Sequence, residues 1–238
     1  MEITLLDYGA GNVRSVRNAI RKLGYTVHDV RSPEEILTAE KLIFPGVGSF
    51  GLVMTRLHEK GYVEPLKQRI VENKPFLGIC VALQALYEGS EESPGVAGLG
   101  IIPGQVVRFS DTVQSVPQIG WNGIKLKKNS FLFTDYQDEK LYFVHSYHAP
   151  REKAGEEWLL AVTDYGTEFV SAVEKGNISA FQFHPEKSGE TGLKILGNYL
   201  GHVVDTPLVV TSRIITEPGK ANIAKRVISC LDVRSNDL

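Results

Sequence analysis

The chain has 238 residues, of which 42% are apolar and 23% charged, and its formal net charge at pH 7 is -2. This charge gives no general attraction to polyanions, so we expect binding neither to nucleic acid nor to a membrane surface. Two cysteines are too few for a secreted disulfide framework and suit a reducing compartment, which predicts a cytoplasmic protein.

Residues 1–90 alternate short apolar runs with segments of helical period. This alternation is typical of a parallel sheet covered by helices. The predicted strands have the sequences ITLLDYG, TVHDV, KLIFPG and PFLGIC.

From about Gly104 the predicted strands follow one another more closely, as in hairpins. Their sequences are QVVRF, QIGWNGIKL, KLYFVHSYHA, WLLAVTDYG and FVSAVEKGNISAFQFHPE. Lys175, Gly176 and Asn177 offer the positive-φ chemistry of a tight turn, and a helix around Leu193–Leu200 closes the domain. We therefore predict an α/β fold with a mixed sheet flanked by helices.

The end of the chain has a different composition and sequence pattern. Residues 203–222 contain prolines and a glycine, lack a clear period and are predicted to form a linker. A new strand, KRVISCLDV, follows within residues 223–238, and a lone strand cannot bury itself. We expect a domain over residues 1–202, a linker, and the first strand of a second, truncated domain.

The strongest chemical signal is Gly78-Ile79-Cys80, where an apolar strand runs into a helical segment. A cysteine at this junction has the geometry of a nucleophile elbow. The helix N-terminus stabilises a thiolate and offers backbone N–H groups to a developing oxyanion. A free cysteine at a strand end is also commonly inert packing, so the elbow alone leaves both interpretations open.

His184-Pro185-Glu186 follows the predicted strand AFQF. If the link is extended, as the proline favours, His184 and Glu186 project to one side, and the carboxylate holds the imidazole tautomer. A surface histidine beside a solvated glutamate is the alternative interpretation of such a pair. Beside the cysteine elbow, the pair favours a catalytic triad of Cys80, His184 and Glu186.

A glycine-rich turn, Pro45 to Gly51, follows the third predicted strand. Its glycines allow backbone N–H groups to approach a ligand closely, either to complete an oxyanion hole or to hold a phosphate. The turn lacks the lysine of a P-loop, and an ordinary turn is the alternative.

Taken in chain order, these three elements resemble the class I glutamine amidotransferases, which carry a P-G glycine loop, then a strand ending in G-x-C and finally a late H-P-E. The segments GWN at 120–122 and YFVHSYH at 142–148 narrow the resemblance, over roughly residues 1–202, to the glutaminases of imidazole glycerol phosphate synthases. Residues 224–233 resemble the first strand of the partner cyclase, with Asp232 at its catalytic aspartate. Both halves are fused in fungi and plants. For a plant source, the alternative to the cytoplasmic location is a plastid.

The resemblance implies a flavodoxin-like fold and a glutaminase in which Cys80 attacks glutamine, His184 transfers protons and Glu186 orients His184. Ammonia would pass to a (β/α)8 cyclase, as partner domain or subunit, and no metal or organic cofactor is implied. The implied oxyanion hole comprises Val47, Gly48 and Val81. The residues implied to hold the substrate are Gln84, Glu92, Ser146 and Tyr147.

One position departs from the family motif G-x-C-x-G-x-Q, because Ala82 replaces its second glycine. If that position needs positive φ or close backbone approach, Ala82 costs about 1 kcal/mol or shifts the Val81 N–H. Three alternatives remain: the glutaminase of pyridoxal phosphate synthesis, a related cysteine hydrolase, and a non-catalytic domain that docks a barrel. YFVHSYH and the cyclase-like strand argue against the first two.

Overall fold

The structure is a computed structural model that describes residues 2–9, 13–46, 48–112, 114–153 and 155–201. Val47, the predicted linker at 203–222 and the predicted strand at 223–238 with Asp232 lie outside the described residues. The predicted second domain therefore stays a prediction.

Within the described residues, the fold is built around an eight-stranded mixed sheet, which confirms the predicted fold class. In spatial order its strands are β2 (Thr26–Asp29), β1 (Glu2–Leu5), β3 (Leu42–Phe44), β4 (Phe76–Ile79), β13 (Ile178–Phe181), β12 (Glu168–Lys175), β11 (Leu159–Asp164) and β8 (Lys125–Leu126). Neighbours from β2 to β13 pair in parallel, whereas β12, β11 and β8 continue the sheet in antiparallel pairing.

Helices cover both faces of this sheet. They are α1 (Arg14–Lys22), α2 (Pro33–Thr38), α3 (Phe50–Glu59), α4 (Val63–Val71), α5 (Val81–Ala85) and α6 (Gly189–Gly201). Because side chains alternate along a strand, Leu42 and Phe44 pack with α3 while Ile43 packs with α1 and α6. Among the described helices, none has the length and apolarity needed to cross a bilayer.

Two smaller sheets lie outside the central one in the described part of the chain. One contains β5 (Tyr87–Ser90), β6 (Ile102–Arg108) and β10 (Tyr147–His148). The other pairs β7 (Gln118–Asn122) with β9 (Leu141–His145). Short 3₁₀ helices occur at Phe131–Phe133, Arg151–Lys153 and Pro185–Lys187.

The adjacent parallel strands β3, β4 and β13 bring the predicted chemical groups to one edge of the sheet. Phe44 lies opposite Gly78, and Ile79 lies opposite Phe181, so the three strands end at nearly the same level. The glycine-rich turn, Cys80 and the segment leading to His184 each follow one of these ends. Parallel α/β sheets commonly place their sites at this carboxyl edge.

Ala82 lies inside helix α5 and is not among the described non-glycine residues with positive φ. Its methyl group faces Gly78 in the strand beneath, since a Cβ on Gly78 would lie only 3.2 Å from the Ala82 Cβ. The space left by Gly78 therefore accommodates the alanine. The positive-φ condition under which Ala82 would disturb the elbow is not met.

The packing of Ala82 predicts that Ala82→Gly lowers stability without improving the site. Glycine loses about 1 kcal/mol of helix propensity and the buried methyl contributes about 0.8 kcal/mol, so we expect the free energy of unfolding to fall by about 1 to 2 kcal/mol. Chemical denaturation would measure this, with Ala19→Gly in the buried face of α1 as the matched control. A more stable Ala82→Gly protein would show that the methyl is strained.

Candidate active site

Cys80 occupies a sharp turn between strand β4 and helix α5. Its backbone has φ 54° and ψ -110°, a conformation that costs a non-glycine residue roughly 1–3 kcal/mol. The Cys80 N–H donates to the Phe181 carbonyl at 2.6 Å, and the Cys80 carbonyl accepts from the Leu83 N–H at 2.9 Å. The turn is thus held from β13 on one side and from the helix on the other, as the predicted elbow requires.

His184 and Glu186 form a buried pair after strand β13. The Nδ1 atom of His184 lies 2.8 Å from Oε1 of Glu186, and both side chains are almost fully buried. Backbone bonds fix His184, because its N–H donates to the Tyr142 carbonyl and its carbonyl accepts from the Ser188 hydroxyl. The expected extended backbone is found at His184, but it does not continue: Pro185 and Glu186 form a 3₁₀ turn, and the Glu186 carboxylate lies against its own histidine.

The charges around His184 decide its protonation. Burial is the largest influence and by itself lowers the pKa of His184, but Glu186 and then Cys80 act in the opposite direction and raise its pKa well above the ordinary histidine value. Both interactions include a hydrogen bond to the imidazole. The arrangement favours an imidazolium between the Glu186 carboxylate and the Cys80 sulfur.

The glycine-rich turn packs directly against the elbow. A Cβ on Gly46 would lie 1.9 Å from the Ile79 carbonyl oxygen and 2.6 Å from the Val81 nitrogen, so only glycine fits there. Gly48 has φ +117°, which favours glycine for conformational reasons. The turn and the first N–H of helix α5 are therefore neighbours, although the oxyanion role of Val47, Gly48 and Val81 stays a prediction.

Gln84 lies one turn into α5 and is buried. Its Nε2 donates to the Tyr147 carbonyl at 2.9 Å and to Oε1 of Gln182 at 3.1 Å. The first bond joins the predicted 146–147 segment to the elbow helix, and the neighbouring Ser146 carbonyl accepts from the Phe109 N–H. The amide nitrogen of Gln84 is thus engaged by the protein itself, and its predicted contact with substrate stays untested.

Glu92 closes the far side of the glycine-rich turn. Its Oε2 accepts from the Phe50 N–H at 2.7 Å, and the neighbouring Ser93 hydroxyl oxygen accepts from the Gly51 N–H at 3.0 Å. Both N–H groups belong to the start of α3, where helical partners are absent. Burial raises the pKa of Glu92, and the Phe50 bond offsets part of that rise. The sequence did not predict this capping role, and the predicted substrate contact stays a prediction.

Gln182 is a site residue that sequence reasoning missed. Its Nε2 lies 3.6 Å from the Cys80 sulfur, and its side chain is fully buried. Its signal is nevertheless visible, because it is the one polar residue in the run AFQF. Gln182 lies directly after β13 and two positions before His184, and both side chains contact Cys80.

Comparison with known proteins places these residues in a family context. The family model described as Glutamine amidotransferase class-I matches residues 4–202. The chain is 47% identical over 236 residues to a protein from Arabidopsis thaliana named imidazole glycerol phosphate synthase hisHF, chloroplastic, with 99% of this chain and 39% of that protein covered. It is 46% identical over 198 residues to the imidazole glycerol phosphate synthase subunit HisH of Methanothermobacter thermautotrophicus, covering 83% and 97%.

The fold has solved counterparts as well. A crystal structure described as a glutamine amidotransferase superposes with a TM-score of 0.63 at 21% identity, covering 84% of this chain and 99% of the other. This likeness concerns the fold alone. The chain spans less than half the length of the hisHF relatives that it matches, which include a protein from Schizosaccharomyces pombe.

The buried His184–Glu186 pair predicts the effect of Glu186→Gln. Without the carboxylate charge, Cys80 alone opposes the effect of burial, so the pKa of His184 falls and less imidazolium is present near neutral pH. We expect alkylation of Cys80 by iodoacetamide at neutral pH to slow about tenfold or more, since one pKa unit is a tenfold change. The exposed Glu190→Gln serves as control, and equal alkylation rates in both variants would contradict a role for Glu186.

Proposed function

The chain belongs to the class I glutamine amidotransferase family, and from this we propose that it hydrolyses glutamine to glutamate and ammonia and supplies the ammonia to a cyclase that makes imidazole glycerol phosphate. The observation that carries the proposal is the contact of Cys80 with the buried His184–Glu186 pair at the ends of adjacent parallel strands. Such a constellation serves acyl transfer through a covalent intermediate.

In the first half of the reaction, the Cys80 thiolate attacks the carbonyl carbon of the glutamine side-chain amide. The resulting oxyanion is held by the Val81 N–H and by an N–H of the turn near Val47 or Gly48, and each such donor is worth about 3 kcal/mol. The His184 imidazolium gives its proton to the amide nitrogen, the C–N bond breaks and ammonia leaves. Glu186 keeps the imidazole oriented throughout.

In the second half, His184 accepts a proton from water while the water oxygen bonds to the acyl carbon of the thioester. Collapse of this intermediate breaks the C–S bond, releases glutamate and returns the negative charge to sulfur. The amino and carboxylate groups of the substrate are held by the predicted set of side chains and backbone groups, namely Gln84, Glu92, Ser146 and Tyr147.

The relatives support a cyclase as acceptor of the ammonia. The match to the Arabidopsis hisHF protein covers nearly the whole chain, and the match to the HisH subunit covers 83% of it. This pattern is what a glutaminase domain followed by the beginning of a fused (β/α)8 cyclase would give, with Asp232 in the first barrel strand. The cytoplasmic location stays a prediction, with a plastid as the alternative for a plant protein.

The alternative of a non-catalytic docking domain rested on Ala82. Since Ala82 lies in helix α5 against Gly78, the geometry of the elbow supports catalysis instead. A glutamine analogue that traps the thioester on Cys80 would separate a catalyst from a scaffold.

The proposed nucleophile predicts that Cys80→Ala abolishes ammonia release from glutamine and leaves the fold intact. No neighbouring described side chain offers a second thiol, so no residual covalent route is expected. Ammonia release and circular dichroism would be measured on the same sample. Retained turnover in a folded Cys80→Ala protein would remove Cys80 from the mechanism.

The glycine-rich turn predicts that glutamine hydrolysis depends on the partner. A Cβ on Gly46 would collide with the elbow, whereas among the described atoms a Cβ on Gly48 would meet the Leu52 side chain at 3.9 Å, so the space for a backbone rotation lies on the Gly48 side of Val47. A rotation there would aim an N–H toward the oxyanion or away from it. A hundredfold stimulation needs only about 2.7 kcal/mol, comparable to one oxyanion donor.

We therefore expect slow ammonia release from the chain alone and a rate about a hundredfold higher with a cyclase barrel and its nucleotide ligand. Three samples are compared: the chain, the chain with cyclase, and the chain with cyclase and a nucleotide analogue. Equal rates in all three would mean that the site is permanently assembled.

A further inference from the structure

Gln182 provides a buried amide beside the sulfur of Cys80. Gln182 directly follows β13, and its backbone N–H donates to the backbone carbonyl of Ser171 on β12, so the sheet fixes its position. Its side-chain Nε2 is 3.6 Å from Sγ of Cys80, within the range of a hydrogen bond to sulfur. The triad mechanism makes no use of this contact.

The direction of the Gln182 amide follows from its neighbours. The Tyr147 carbonyl can only accept a hydrogen bond, so the group of Gln84 that lies 2.9 Å from it must be the NH2 group. The same NH2 group donates to Gln182 at 3.1 Å, so the Gln182 atom that receives the bond is the oxygen. The opposite end of the Gln182 amide, which faces the sulfur, is then the N–H donor.

We propose that Gln182 is a dedicated hydrogen-bond donor to the Cys80 thiolate and that Gln84 is the positioning residue that sets the direction of this donor. The relay runs from the Tyr147 carbonyl through Gln84 and Gln182 to Sγ. This inference rests on the proposed glutaminase function. It assigns to the nucleophile a hydrogen-bond donor outside the triad and a residue that positions this donor.

The donor acts where sulfur carries negative charge. In the resting site the Gln182 amide lies against the sulfur, beside the imidazolium of His184. In thioester hydrolysis, water adds to the acyl carbon, its proton passes to His184, and the electron pair of the breaking C–S bond returns to sulfur, where the Gln182 N–H meets it. A thioester sulfur carries no charge, so the contact favours departure of the thiolate.

Among the described residues, His184 is the charged group in contact with the sulfur, and Glu186 lies behind it. Burial, helped by the nearby charges of His148 and His184, lowers the pKa of His145 on β9 to about 3 and keeps it neutral. The Nδ1 of His145 lies 2.7 Å from the same Tyr147 carbonyl that receives Gln84, so this carbonyl anchors two buried side chains. A neutral amide donor adds stabilisation at sulfur without another buried charge.

The test is the pH profile of Cys80 alkylation, in which the thiolate displaces iodide from iodoacetamide. Mass spectrometry of the Cys80 peptide separates this reaction from that of Cys230. In Gln182→Met, which keeps the volume and removes the donor, the midpoint of the profile should move to higher pH by about one pH unit, a tenfold change in the protonation equilibrium. In Gln182→Glu, an ionised carboxylate faces the sulfur and the shift should be larger.

Gln84 is tested by non-additivity. Gln84→Met should move the midpoint in the same direction by a smaller amount, because the Gln182 amide is then free to turn. The double variant Gln84→Met with Gln182→Met should match Gln182→Met alone, since both act through one donor. The buried Gln118 on β7, whose amide bonds to Asn122, supplies the control Gln118→Met, which should leave the profile unchanged.

Circular dichroism establishes that each variant is folded. If Gln182→Met does not fold, Gln182→Glu serves in its place, because it retains the acceptor for Gln84. Profiles of the folded Gln182 variants that coincide with the unsubstituted protein would overturn the inference, as would fully additive shifts from Gln84 and Gln182. The proposed function fails separately, if the unsubstituted chain with a cyclase shows the alkylation profile but releases no ammonia from glutamine.

Discussion

The site depends on one strained turn, the left-handed backbone conformation of Cys80. At φ 54° the cysteine adopts a backbone conformation that is strained for it but unstrained for glycine. The hydrogen bond from its N–H to the Phe181 carbonyl helps to hold this conformation. This turn points the sulfur toward the end of β13 and starts helix α5. A more relaxed turn would separate the nucleophile from His184 and from the helix N–H groups at once. The close fit of Gly46 against the same turn shows how little space the elbow leaves.

Electrostatics impose the second constraint. An imidazole and a carboxylate that are almost fully buried lose the stabilisation of water, and the loss is compensated only where hydrogen bonds are well placed. His184 has Glu186 on one side and Cys80 on the other, and its backbone is bonded to Tyr142 and Ser188. The charges are therefore stabilised by each other rather than by solvent. The same geometry keeps the imidazole protonated beside the sulfur, so structural stability and chemical function use the same contacts.

Much of this arrangement could be predicted from the sequence. The apolar runs KLIFPG and PFLGIC and the hairpin leading to HPE predicted parallel strands followed by antiparallel ones, and that order is observed. The cysteine at a strand end and the late H-P-E predicted a shared site. These predictions succeed because residue period and turn chemistry are local properties, readable without knowing which strands pair. The H-P-E link is extended at His184 as expected, whereas Pro185 and Glu186 form a 3₁₀ turn with Glu186 bonded to His184, which the local pattern did not predict.

The sequence by itself determined the chemical groups: one thiol at a strand-to-helix junction, a histidine with a nearby carboxylate, and glycines that permit close backbone approach. Only the tertiary structure decided which groups meet. The contacts between Gln182 and Cys80, Glu92 and Phe50, and Gln84 and Tyr147 join residues that are 102, 42 and 63 positions apart. The fit of Ala82 against Gly78 likewise follows from packing of a helix on the strand before it. Contacts of this kind depend on strand order and register in the folded sheet, which no local pattern specifies.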